Sequence, residues 1–172
     1  MAAWIHVGLT SVLHRIKDIE ACESHLRQAR HGAERAGPAA ILEVSLLRAR
    51  IATDVGNRAL ANELFATSDA LLATRELSRQ NALSYRARLV GQRAYHLTEP
   101  LAGETANFSY ARSLFDELEE GSCAPFACFR RNSGLAYCTW QLGDTAEGVH
   151  LAKRAAEYAG DGGLVRFRIM AR

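Results

Sequence analysis

The chain has 172 residues, 48% of them apolar, and carries 21 Lys and Arg against 19 Asp and Glu for a formal net charge of +2. That is enough apolar side chain for one ordinary core, while a balance so near neutrality excludes recognition of nucleic acid or a membrane surface by overall charge. No apolar run approaches the ~20 residues of a membrane span and the N-terminus lacks the basic-then-apolar pattern of a signal peptide, so a soluble cytoplasmic protein with no membrane partner is expected.

Cys22, Cys123, Cys128 and Cys138 form no CxxC pair, which suits a reducing compartment and free thiols. Helix formers dominate and apolar residues recur at three- and four-residue steps almost throughout, so the expected fold class is all-α. Pro38, Pro100 and Pro125 all fall where this pattern breaks.

In chain order, the pattern predicts four antiparallel helix pairs: residues 2–15 with 18–36, 39–55 with 57–73, 79–96 with 103–120, and 125–142 with 144–159. A short basic helix over 163–172 follows. Lys17-Asp18, Gly56-Asn57 and Gly143-Asp144 each close one helix and open the next. The segment Leu47-Arg48-Ala49-Arg50-Ile51 returns as Tyr85-Arg86-Ala87-Arg88-Leu89 after 38 positions, and the first two turns stand 39 apart. A period of that size indicates a repeat architecture. Leu42, Leu46, Ala49 and Thr53 form one stripe of the third helix, and Val44, Leu47, Ile51 and Val55 form another. A helix apolar on two sides must be sandwiched, as stacked repeats require.

The fourth pair, SGLAYCTWQLGDTAEGVHLAKRAAEYAG, resembles a tetratricopeptide repeat. Leu135 and Ala136 stand at the apolar and small positions of its first helix, Gly143-Asp144 make the turn, and Ala155 takes the small site of the second. The first pair is similar through Leu9, Thr10, Lys17-Asp18, Cys22 and Ala29, and the second through Ala49, Gly56-Asn57, Ala61 and Phe65. Gly148 and Cys22 depart from the family's usual Ala, and the third pair has a long turn through Thr98, Glu99 and Pro100. The resemblance implies a right-handed α-α superhelix spanning residues 1–172 as a single domain. The first two pairs also resemble the helical-repeat sensor region of MalT-type LuxR-family ATP-dependent transcription regulators. That likeness implies a section that receives inducers or regulatory proteins, between an ATPase module and a helix-turn-helix that are not in this sequence.

Trp4, Ile5 and Val7 have no polar capping repeat ahead of them, so the chain reads as a section of a longer protein. Alternatively, Trp4 folds under its own repeat or enters a homodimer interface.

The sequence holds no GxxxxGK(S/T), GxSxG or HExxH, and no enzyme activity, cofactor or metal is expected. Gly160-Asp161-Gly162-Gly163 follows a helix, not a strand, and reads as a helix end. Cys123, Cys128, Cys138 and His150 lack the paired spacing of a zinc site. The six histidines are scattered, and His25 and His31 are six apart, so neither a catalytic dyad nor a ligand pair is expected; solvated or snorkelling rings are. Asp116, Glu117, Glu119 and Glu120 read as a solvated acidic helix end.

The resemblance places Trp4, Ser11, Glu43, Arg50, Asn81, Ser84, Arg88, Arg130, Ser133, Tyr137 and Trp140 along a concave groove. Arginine forks and aromatic anchors suit a protein or peptide partner, or a small anionic effector. Against this, Arg50 and Arg88 could pair with Asp54 or a neighbouring Glu, and Trp140 could be core. Arg79, Arg86 and Arg93 form a competing stripe. The leading expectation is an interaction or sensor module of a transcription regulator, with no direct nucleic-acid contact by this segment. The alternative is a structural protein that self-associates through its ends.

Overall fold

The computed structural model describes residues 2–118 and 125–161. Among these residues eight helices run in chain order: α1 Ala2–Arg15, α2 Ile19–Ala36, α3 Pro38–Asp54, α4 Arg58–Ala73, α5 Arg79–Thr98, α6 Phe108–Asp116, α7 Pro125–Gln141 and α8 Thr145–Asp161. The described residues hold no strand and are all-helical, as the sequence pattern predicts. Among them, no helix is long and apolar enough to cross a membrane. The helix expected over 163–172 lies outside the described residues.

The three paired turns share one physical device. Lys17, Gly56 and Gly143 each adopt positive φ (63°, 78° and 98°), reversing the chain after α1, α3 and α7. The next residue sends its amide back five positions, Asp18 to Leu13, Asn57 to Ala52 and Asp144 to Thr139, at 2.8–3.1 Å. Its side-chain oxygen then accepts an amide of the following helix, from Ala21, Leu60 and Glu147, each at 3.1 Å. One residue thus satisfies an orphan carbonyl of the helix behind and an orphan amide of the helix ahead. Four positions past each cap stands Cys22, Ala61 or Gly148, all buried. A Cβ on Gly148 would sit 3.2 Å from Trp140 Cβ and 3.3 Å from the Ala136 carbonyl oxygen, so an alanine there would require α7 to give slightly.

The largest departure from expectation is α6, which begins at Phe108 and not at 103. Gly103 has φ 87°, Leu101 N–H donates to Glu104 Oε2 at 3.0 Å, and Asn107 sends its amide to Leu97 while accepting from Tyr110. These bonds make residues 99–107 a folded turn, and Asn107 is the true cap. The helix ends at Asp116; Glu119 and Glu120 lie outside the described residues.

The chain divides into two compact units, Met1–Asn81 and Ala82–Arg172, with the boundary in the first turn of α5. In the first, α3 packs against α1, α2 and α4. Nine of its residues are buried, including the whole first stripe but only Val44 and Ile51 of the second; Leu47 is half-buried and Val55, past the end of the helix, is exposed. Its core joins Val7, Cys22, Leu26, Ala29, Ala33, Val44 and Ile51. Val7 is therefore core, not exposed with Trp4 and Ile5, because it lies on the opposite side of α1 from Ile5. In the second unit, Ala87, Val90 and Ala94 of α5 pack with Ala111, Leu114 and Phe115 of α6 and with Leu135 and Ala136 of α7. Phe129 meets Ala155 and Ala159 of α8 beside that core.

Candidate functional site

The predicted groove residues divide by environment. In the first unit, Trp4 is 45% exposed on α1, and Ser11 turns its hydroxyl inward to the Val7 carbonyl at 3.0 Å. Glu43 is half-buried and engaged in a contact. Arg50 lies 3.4 Å from Asp54, one helical turn on, so the ion-pair alternative describes it. Asn81 is exposed at the start of α5, its amide bonded to Ser78 Oγ.

In the second unit, Arg88 lies with its guanidinium 5.4 Å from the Tyr85 ring centroid, a cation–π contact along α5, and Ser84 beside them is half-buried. Arg130, Ser133 and Tyr137 do come together, one turn apart on α7, and line a cavity of about 470 Å³ with Tyr95, Phe129 and Glu99. Trp140 is 55% exposed and therefore not core; its ring tilts toward Tyr137, which meets Phe108 edge-on at 5.8 Å.

Two glycines shape this cavity. A Cβ on Gly91 would collide with Nε, Nη2 and Cζ of Arg130, so the guanidinium lies against the bare backbone of α5. A Cβ on Gly134 would strike the Phe115 ring in the same way. Each bulky group thus rests in a notch on a neighbouring helix, and Ala94, Ala136, Ala152 and Ala155 keep part of the remaining wall small. Small side chains around a fixed guanidinium leave space that a ligand's apolar body can fill.

Cys138 also lines this cavity, and burial pushes its thiol up to about 11, with nearby Arg112 pulling weakly the other way. Burial, helped by the Asp18 charge, raises the Cys22 thiol as well; its Sγ lies 3.6 Å from the Thr10 carbonyl oxygen. Cys22, Cys128 and Cys138 are buried and in no disulfide. His150 is exposed on α8, and Cys123 lies outside the described residues. Among the described residues no group of three or more His, Cys, Asp or Glu could hold a metal ion.

His31 and His150 are exposed, as expected, but His6, His14 and His25 correct the expectation of solvated rings. His6 and His25 approach Nδ1 to Nδ1 at 2.9 Å across α1 and α2, with ring centroids 5.2 Å apart. His14 meets Asp54 at 2.7 Å across α1 and α3. Sequence spacing could not reveal either pair, because both depend on how the helices dock.

A second cleft was likewise invisible in the sequence. Arg27 and Arg30 of α2 and Arg48 of α3 line a cavity of about 320 Å³ with Glu23, beside the start of α4.

No protein-family model matches the chain, and neither a curated protein nor a solved structure matches it.

Proposed function

We propose that this chain is a cytoplasmic binding module, not an enzyme, and that it senses a small anionic effector or a peptide through the cavity of its second unit. The reading carries with it a right-handed tetratricopeptide-like superhelix and a place in the regulatory section of a MalT-type transcription regulator. The repeated turn-and-cap device and the buried small residue four positions beyond it support the repeat architecture.

The observation that carries the function is the seating of Arg130 against Gly91 at the wall of a hollow apolar cavity. A fixed guanidinium recognises an anionic group, and the alanine and aromatic walls take an apolar body. The test uses anilinonaphthalene sulfonate, an apolar fluorescent anion. It should bind the wild-type chain saturably with one site, and Arg130→Glu should weaken that binding at least about tenfold without lowering the melting temperature appreciably. Equal binding by wild type and variant would remove the cavity from this role.

A second reading, self-association, rests on a different observation. Ile5, Leu9, Val12 and Ile16 form an exposed apolar stripe along α1 at steps of four, three and four. Such a contiguous stripe favours burial against another chain. Sedimentation of the wild type and of Ile5→Glu/Val12→Glu separates the readings: a dimer that the double substitution dissociates supports assembly through α1, and a concentration-independent monomer excludes it.

A further inference from the structure

We infer that the cleft between α2, α3 and the start of α4 is a second ligand site, one that takes a phosphate monoester carried on a small molecule. It is independent of the Arg130 cavity and shares no residue with it. Arg27 and Arg30 stand one turn apart on the same face of α2, and Arg48 reaches the same space from α3. Glu23 is the one acidic residue that lines the cleft, which leaves a local charge near +2.

Three arginines lining one cleft leave it positively charged, a cost that neighbouring carboxylates would normally offset. Here they do so poorly. Arg30 lies 4.0 Å from Glu34, but both side chains are about two-thirds exposed (68% and 65%), and a pair so wet contributes little. Among the described residues, neither Arg27 nor Arg48 has an ion-pair or hydrogen-bond partner. Leu26 and Ile51, both buried, give the cleft an apolar floor.

The chemistry of the occupant follows from charge, donors and size. A phosphate monoester near neutral pH carries almost two negative charges and three strong acceptor oxygens, which match the net charge and the three guanidinium forks. A cleft of about 320 Å³ holds a phosphate with a few carbon atoms beyond it, against the apolar floor. The N-terminus of α4 opens beside it, and its dipole adds to the same sign.

Arginine Nε–Hε resonances of the full chain, followed by NMR at about pH 7.5 and roughly physiological salt, test this directly. Titration with glycerol 3-phosphate should shift the signals of Arg27, Arg30 and Arg48 saturably, inorganic phosphate should shift the same signals more weakly, and glycerol should shift none. Arg27→Gln/Arg48→Gln should raise the dissociation constant at least tenfold while leaving the melting temperature unchanged, whereas Arg86→Gln, exposed on α5, should alter neither. Linear shifts that never saturate, or equal affinity in the double variant, would overturn the site. Tighter capture of a phosphoserine peptide or of a single-stranded oligonucleotide at these resonances would also overturn it, since the occupant would then be a macromolecule.

Discussion

His14 on α1 and Asp54 on α3, forty positions apart, meet at 2.7 Å, and Arg50 approaches the same carboxylate at 3.4 Å. The Asp54 side chain is only 9% exposed, and its Oδ1 lies close to Arg50 without hydrogen-bond alignment. The cluster therefore acts as a clip between the first helices of two consecutive hairpins. Asp54→Ala should cost about 2–3 kcal/mol, because it leaves two partly buried donors without their acceptor. Urea unfolding measures this, and a loss below about half a kcal/mol would mean that the clip is not structural. Charge reversal at Arg50 would likewise destabilise the chain, so Arg130 is the cleaner probe of binding.

The turn device makes a prediction of opposite sign. Lys17 holds the left-handed conformation that glycine holds in the other two turns. Lys17→Gly should therefore stabilise the chain by about 1 kcal/mol, and Gly143→Ala should destabilise it by a similar amount. Thermal melts of the two variants should move in opposite directions; a lower melting temperature for Lys17→Gly would show that the lysine side chain contributes more than its backbone strain costs.

Cys138 sets an alkaline limit. Its thiol titrates near 11 in the fold against an ordinary value of 9.0, so the native state holds its proton where the unfolded chain has lost it. The stability this contributes is fully present below about pH 9 and is lost as pH rises toward about 11. A shift of that size corresponds to roughly 2–3 kcal/mol, an order-of-magnitude figure. Cys138→Ser should flatten the decline in urea stability across that window, and an unchanged slope would assign the decline to other groups. Native Cys138 should also resist alkylation near neutral pH and react once the chain is unfolded.

Gly91→Ala isolates the placement of Arg130 from its charge. Alanine is the better helix former, so the fold should survive, but the new methyl takes the place of the guanidinium. Affinity for the sulfonate dye should fall about five- to tenfold with little change in melting temperature. Undiminished affinity would mean that the cavity recognises its ligand without a fixed arginine.

What could be read from the sequence was what is encoded locally. Lys17-Asp18, Gly56-Asn57 and Gly143-Asp144 specify their turns with two adjacent residues, and the helices around them came out within a residue or two. The start of α6 differs from the expected 103 because Asn107, inside a polar stretch, is the residue whose side chain caps the helix. The pairing of Arg50 with Asp54 was visible as a four-residue spacing, whereas His6–His25, His14–Asp54 and the Arg27–Arg48 cleft join different helices and required their docking. Whether Trp140 stands at the surface or in the core depended likewise on docking, and it is exposed. Gly148 lets the α8 backbone pass close beneath it, so the ring stays near the surface with Tyr137 while its Cβ touches the helix.

The shared turn device also has a kinetic meaning. Each of these three reversals is complete within a few neighbouring residues, so a hairpin can form before any distant part of the chain arrives, and nucleation is open at three places. The segment from Glu99 to Asn107 has no such shortcut: its bonds reach from Leu97 to Tyr110 and depend on one another. Refolding should therefore be fast around Lys17, Gly56 and Gly143 and slowest where α5 hands over to α6.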